Sequence, residues 1–288
     1  YADMFERLYV DAGGQTNADG DITILQGRCL GGSTVVNATV ALRTPSWILD
    51  AWKTEHGVEG MSPADLAPVF ERVEKRLWVH VNAPSEINRN SQLMQKGCEA
   101  LGWSVKPLPR NIHNCALSGY CIAGCRYDRK QSMLVTYIPW AIEKGAKVYT
   151  DTEVERIESD GKRATGVSAV IRDPKTREVV SRLNVKAKMV VLSAGAIQSP
   201  LVLLRSGIAN SSDQVGRNLM HHGLALVEIW ALERRDSHKG IISALFICEE
   251  FAETDPSRGF VNGVTLHITR NNGAGYQANG SHSGNVAP

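Results

Sequence analysis

The chain has 288 residues, of which 43% are hydrophobic, and its 32 lysines and arginines nearly balance 30 aspartates and glutamates. This length and composition can supply a real hydrophobic core, which excludes a disordered chain. Because the charges nearly cancel, neither a nucleic-acid surface nor a polybasic membrane patch is indicated. No apolar run reaches the roughly 20 residues that a membrane-spanning helix needs. We therefore expect a small-molecule partner, no nucleic acid and no membrane span.

Three helices are predicted in the first half of the chain. The first covers residues 62–77, where Ser62 is a suitable cap and apolar residues recur at helical spacing. The second covers 90–103 and ends at a glycine, which commonly terminates a helix. The third covers 132–145 and is interrupted by a proline. We expect these helices to serve mainly in packing the core.

After residue 145 the pattern changes to β-structure. Apolar segments separated by SDGK and DPKT turns predict a small antiparallel meander. The next segment, 187–195, is apolar enough for a central strand of a parallel sheet, and Gly195 opens a helix. Strand, tight turn and helix together form the unit that binds phosphates or cofactors in doubly wound sheets. Further strands, expected in a second antiparallel sheet, are predicted over 224–232, 241–250 and 261–269.

A glycine pair lies near the start of the chain, in the stretch QGRCLGGSTVVNATVALR over 26–43. Gly31 and Gly32 let the backbone come close to a bulky ligand. Ser33 and Thr34 offer hydroxyl and N–H groups at a helix start, which favours anionic or electron-rich ligand groups. On spacing alone, a glycine-rich turn capped by Ser33 is an equal alternative.

Three stretches, taken together, resemble the glucose–methanol–choline (GMC) family of flavoprotein oxidoreductases. The stretch over 27–43 is similar to the first family signature, and LSAGAIQSPLVLLRSGI over 192–208 is similar to the second. VGRNLMHH over 215–222 resembles the stretch that follows the second signature in the same order. The resemblance implies an α/β fold, with a doubly wound FAD-binding domain that is discontinuous in sequence. It also implies a substrate domain of helices and an antiparallel sheet.

The resemblance also implies domain limits and cofactor contacts. The FAD-binding domain is expected over 1–44 and 145–222, and the substrate domain over 45–144 and 223–288. The residues expected to line FAD are Gly31, Gly32, Ser33, Asn37, Ala38, Thr39, Val154, Ala194 and Gly195. The glycine bend and the strand tip before the second helix are then expected to converge around the flavin ring.

The activity that the resemblance implies is oxidation of an alcohol to an aldehyde or ketone. Hydride passes from the alcohol carbon to flavin N5 while a general base takes the hydroxyl proton. Family members open with a G-x-G-x-x-G turn and carry catalytic histidines near the C-terminus, and neither region is found here. We therefore expect the middle of a longer enzyme, with no catalytic residue in this chain and little flavin binding by this chain alone. The alternative from another functional class is a catalytically inactive remnant.

Three of the six cysteines, Cys115, Cys121 and Cys125, lie in one glycine-containing loop. Such thiols could ligate an iron–sulfur cluster or zinc, form a disulfide, or stay reduced and partly buried. Their spacing resembles that in GMC dehydrogenases where a three-iron four-sulfur (3Fe-4S) centre passes electrons to a cytochrome. It also resembles the cysteine-rich loop of long-chain fatty alcohol oxidases. A dehydrogenase implies an electron-acceptor protein, whereas an oxidase reduces oxygen to peroxide.

Two polar residues, Lys130 and Ser132, follow the cysteine loop. They could line the flavin or cap the helix predicted over 132–145, and we expect capping. Six cysteines are too few for a disulfide-rich secreted scaffold of this length. The compartment therefore stays open, with the cytoplasm favoured and the periplasm as the alternative.

Overall fold

The computed structural model describes residues 2–220, 240–241, 245–251 and 264–266. These residues fall into two compact units. The first unit contains the chain up to Ala146 together with the described residues from 240 onward, and the second begins at Lys147. The predicted division into FAD-binding and substrate domains stays a prediction.

The helices of the first unit agree in part with the sequence pattern. Ser62 caps α3, because its hydroxyl accepts the N–H of Asp65 and the Asp65 carboxylate accepts the N–H of Ser62. The third predicted helix begins later than expected, because a proline lacks the N–H donor and fits only the first turn of a helix. No helix in the described ranges has the length and apolar content needed to cross a bilayer. The helices are α1 (Ala2–Leu8), α2 (Ser46–His56), α3 (Pro63–Arg76), α4 (Arg89–Ala100) and α5 (Tyr137–Glu143).

Two small antiparallel sheets belong to the first unit. Strand β1 (Val79–Val81) pairs with β3 (Pro109–Asn111). Strand β2 (Lys106–Pro107) pairs with β7 (Phe246–Phe251), which also pairs with β8 (Val264–Leu266). Strands β7 and β8 confirm the expected C-terminal antiparallel sheet. The strand expected over 224–232 lies outside the described residues.

The second unit is the expected meander followed by a helix. Strands β4 (Thr152–Ser159), β5 (Ala164–Arg172) and β6 (Val179–Lys186) form one antiparallel sheet in that order. Helix α6 (Gly195–Ser206) packs on β4, and the Ser206 hydroxyl accepts the backbone N–H of Ile157 at 2.9 Å. Both predictions, meander and helix, are confirmed.

The predicted central parallel strand over 187–195 is wrong for this structure. Residues 187–194 form no strand, and every sheet within the described part of the chain is antiparallel. Met189 and Val191 are 79% and 78% exposed. An apolar strand needs hydrogen-bonded neighbours and covered faces to become buried. Beyond the bond from the Ala187 N–H to the Thr165 carbonyl, no described strand pairs with this segment.

Candidate functional site

The two glycines of the pair have different roles. Gly31 is left-handed, with φ 94°, and a Cβ there would lie 2.9 Å from the Leu134 backbone N and 2.8 Å from Val35 Cγ2. Gly32 has φ 57°, and a Cβ there would meet nothing within 4 Å. Gly31 therefore lets the loop pack closely on the chain behind it, whereas Gly32 leaves bare backbone facing open space.

Hydroxyl groups brace the loop from within. The Ser33 hydroxyl accepts the backbone N–H of Gly27 at 3.0 Å. The Thr34 hydroxyl donates to the Gly31 carbonyl at 2.6 Å and accepts the N–H of Met133 at 3.0 Å. Ser33 is exposed, and its hydroxyl proton stays available to a ligand.

The Asn37 side chain is suited to ligand binding. It is exposed, and its Oδ1 accepts the backbone N–H of Thr39 at 3.2 Å, which fixes the direction of the amide. Its two amide N–H donors have no partner among the described residues. Asn37 therefore presents hydrogen-bond donors at a fixed position on the same loop as Gly32.

A buried guanidinium lies behind Ala38 and Thr39. Thr39 is fully buried with φ 67°, an unusual conformation for a β-branched residue. Arg110 is also fully buried; its Nε donates to the Thr39 hydroxyl at 2.9 Å, and its terminal nitrogen donates to the Ala38 carbonyl. Burial lowers the pKa of Arg110 from its ordinary value. These bonds hold the left-handed turn in place.

Sequence reasoning missed Arg110, because nothing in the tripeptide Pro-Arg-Asn indicates that its charge is buried. The position follows from backbone pairing. The Ala41 N–H donates to the Pro109 carbonyl at 3.0 Å, and the Asn111 N–H donates to the Thr39 carbonyl at 3.2 Å. Strand β3 therefore lies beside residues 39–41 and carries the arginine to the loop.

A second buried cation supports the same loop. Lys130 donates from Nζ to the Asn37 carbonyl at 3.0 Å and to the Cys121 carbonyl at 2.6 Å. Burial lowers the pKa of Lys130 from 10.5 to about 8, although the nearby thiols act in the opposite direction. The expectation that Lys130 caps a helix is wrong, since α5 is preceded by Thr136 and has no side-chain cap. The long side chain instead joins the glycine loop to the cysteine loop.

The three clustered cysteines border one cavity. Cys115, Cys121, Cys125 and Lys130 line a small cavity of about 10 Å³, which has room for about one water molecule. All six cysteines of the chain are free thiols, and burial raises the pKa of Cys115. Among the residues that the structure describes, no three His, Cys, Asp or Glu side chains are placed to hold one metal ion. The geometry therefore gives no support to the zinc alternative.

The remaining candidate cofactor residues belong to the second unit. Val154 is half-buried in β4 opposite Ala169, beside a register shift. Ala194 and Gly195 are exposed at the start of α6, and the Ala194 N–H donates to the Ser199 hydroxyl at 3.0 Å. Their expected convergence with the glycine loop stays a prediction.

Comparison with known proteins assigns the family. The family model described as GMC oxidoreductase matches residues 5–224. The chain belongs to the GMC oxidoreductase family. It is 32% identical over 271 residues to the 2-methyl-1,2-propanediol dehydrogenase of Mycolicibacterium austroafricanum, covering 82% of this chain and 48% of that protein. It is 29% identical over 223 residues to the long-chain-alcohol oxidase FAO3 of Arabidopsis thaliana, covering 75% and 30%.

This GMC chain spans about half the length of the dehydrogenase and less than a third of the oxidase. Among solved structures, it is similar to pyridoxine 4-oxidase from Mesorbium loti, with a TM-score of 0.52 and 23% identity. That similarity covers 64% of this chain and 37% of the other. It confirms the predicted α/β fold class.

Proposed function

We propose that the whole protein oxidises an alcohol to an aldehyde or ketone, with FAD as the hydride acceptor. Family membership supports this, as do two relatives whose names specify a diol dehydrogenase and an alcohol oxidase. The observation that carries the proposal is the glycine loop. Its backbone is bare at Gly32, its Asn37 amide is fixed, and two buried cations hold it from behind.

The loop residues fit a flavin nucleotide. A Cβ at Gly32 would occupy the open space in front of the loop, so glycine there permits the approach of a flat or bulky group. Gly31 and the fully buried Thr39 would shape the loop from behind rather than face the ligand. The family resemblance assigns six loop residues and three residues of the second unit to the cofactor. They are Gly31, Gly32, Ser33, Asn37, Ala38 and Thr39, with Val154, Ala194 and Gly195. When bound, FAD supplies the acceptor for the hydride of the alcohol.

Arg110 and Lys130 add a positive potential beneath the loop. Both donate to carbonyl or hydroxyl oxygens of the protein. Charge in a poorly solvated environment acts over longer distances than charge at the surface. The loop is therefore suited to phosphate groups or an electron-rich ring.

Substrate-driven reduction of the flavin tests the proposed activity. The purified whole protein is mixed without oxygen with primary alcohols, secondary alcohols and vicinal diols. We expect the absorbance of oxidised flavin to disappear with at least one alcohol, and one carbonyl product to form per flavin. A protein that carries no flavin, or whose flavin no alcohol reduces, contradicts the proposal and supports the inactive-remnant alternative.

An amide-to-acid change tests the role of Asn37. Asn37→Asp keeps the Oδ1 acceptor for Thr39 but removes the N–H donors, so we expect FAD to bind about tenfold or more weakly. Asn210→Asp is the matched control, because Asn210 Oδ1 also accepts a backbone N–H, that of Val215. Equal FAD affinity of both variants, measured by fluorescence titration, removes Asn37 from the site.

A 3Fe-4S cluster at Cys115, Cys121 and Cys125 is a second, finer proposal. One observation carries it, namely that the three thiols border a single cavity. The geometry counts against it, as it does against zinc, because no three His, Cys, Asp or Glu side chains in the described residues are placed to hold one metal ion. Iron and acid-labile sulfide in the purified protein would support a dehydrogenase that passes electrons to an acceptor protein. An iron-free protein that forms peroxide from oxygen would identify an oxidase.

A further inference from the structure

Two cysteines outside the clustered loop face each other in the first unit. Cys98 lies on α4 and is 6% exposed, and Cys248 lies on β7 and is fully buried. They are far apart in sequence, yet the Cys248 thiol adds to the effect of burial in raising the pKa of Cys98, which places the two side chains near each other. Helix α4 packs directly against β7.

Between two points of contact, the helix and the strand cover nearly the same length, which explains why the two cysteines meet. The Leu245 N–H donates to the Ser91 hydroxyl at 3.3 Å, which fixes one point of contact. From Ser91 to Cys98 a helix advances about 10 Å, at about 1.5 Å per residue. From Leu245 to Cys248 a strand also advances about 10 Å, at about 3.4 Å per residue. The second point of contact therefore falls at the two cysteines.

Further contacts hold this register beyond the cysteines. The Ser104 N–H donates to the Glu250 carboxylate at 3.1 Å. The Trp103 ring packs edge-on against Phe251, with the ring centroids 5.0 Å apart. Fixed points on both sides of Cys98 hold α4 and β7 in the register that places the two cysteines opposite each other.

We propose that Cys98 and Cys248 form a redox-active pair that closes to a disulfide and fastens α4 to β7. A hydroperoxide is the oxidant. One thiolate attacks the peroxide oxygen, giving a sulfenic acid and, with hydrogen peroxide, one water. The second thiol attacks that sulfur and releases a second water, so two thiols lose two electrons and two protons in total. The pairing does not depend on flavin binding.

Burial sets the rate and the consequence of closure. Burial raises the pKa of Cys98, so its thiolate is scarce at neutral pH and closure is slow. Cys115 and Cys125 are less buried and will react first with added reagents. Once formed, a bond between segments so far apart in sequence restricts the unfolded chain, which raises thermal stability.

Mapping of thiols in the unsubstituted protein tests the proposal. The reduced protein is treated with hydrogen peroxide at mildly alkaline pH, alkylated, digested and analysed by mass spectrometry. We expect a linked peptide pair containing Cys98 and Cys248, and a thermal midpoint several degrees above that of the reduced protein. Dithiothreitol should reverse both changes. Recovery of Cys98 and Cys248 as alkylated thiols, or linked to Cys115, Cys121 or Cys125, overturns the proposal.

Alanine variants provide the matched controls. Cys98→Ala and Cys248→Ala should each lose the peroxide-dependent rise in thermal midpoint. Cys29→Ala removes a half-buried thiol from a different hydrophobic cluster and should keep the rise. A rise that persists in Cys98→Ala contradicts the pairing. If either buried variant fails to fold, the peptide map of the unsubstituted protein decides alone.

Discussion

The glycine loop over 31–39 and the segment over 187–195 carry the two family signatures, but their surroundings differ. Strand β3 flanks the loop, and the buried Arg110 and Lys130 hold it in place. In the segment of the second unit, the Ala187 N–H donates to the Thr165 carbonyl and the Ala194 N–H donates to the Ser199 hydroxyl, while the Met189 and Val191 side chains are exposed. A loop braced by side chains can form within one unit, whereas a central strand requires neighbouring strands.

The largest effect is expected from removing the guanidinium behind the loop. Arg110→Met leaves the Ala38 carbonyl and the Thr39 hydroxyl without their buried donor and releases a left-handed turn. We expect the free energy of unfolding to fall by about 3 kcal/mol in urea titrations. Arg43→Met is the matched control, since Arg43 is an exposed partner of Glu74 and its replacement should lower the free energy of unfolding far less. Equal losses would show that the loop is not held by Arg110.

The next effect comes from the second buried cation and depends on pH. Lys130 holds its proton less tightly in the folded chain, so the unfolded chain binds more protons between about pH 8 and 10.5. The free energy of unfolding should therefore rise with pH across this window, by about 3 kcal/mol for this group. In Lys130→Met this contribution should vanish. Other groups titrate in both proteins, so the difference between the two urea curves isolates Lys130, and parallel curves would contradict its burial.

The smallest effect is expected in the second unit. Val191 is 78% exposed whereas Val170 in β5 is fully buried, so the same valine-to-alanine change compares the two environments. Val191→Ala should change the free energy of unfolding by about 0.5 kcal/mol or less, and Val170→Ala should lower it by about 2 kcal/mol. A large loss in Val191→Ala would show that another segment or partner covers residues 187–195.

Local signals were enough to predict much of the fold from the sequence. Ser62 with Asp65 marks the start of α3, and two polar turns mark the meander of the second unit. The sequence did not indicate how a segment lies relative to strands that are distant along the chain. The apolar run at 187–195 indicates burial but not which strands must cover it. The start of α5 was predicted too early, because a proline is tolerated only in the first turn of a helix and the helix therefore begins close to it.

The candidate site also contains residues that the sequence predicted and residues that it did not predict. The glycines and Asn37 were predicted from the signature that they form, and their geometry suits a ligand that approaches the backbone closely. Arg110 and Lys130 were missed or misassigned, because their roles arise from carbonyls brought near them by the fold. Single charged residues in a sequence give no sign of burial.

The central claim is that FAD lies against the bare backbone of Gly32. Affinity for FAD, measured by fluorescence titration of Gly32→Ala and Gly57→Ala variants of the whole protein, tests it directly. Both glycines have positive φ and open space at the Cβ position, so each substitution should cost about 1 kcal/mol of backbone strain. We predict that Gly32→Ala binds FAD at least tenfold more weakly than the parent, while Gly57→Ala binds it equally well. Unchanged affinity in Gly32→Ala would contradict the account.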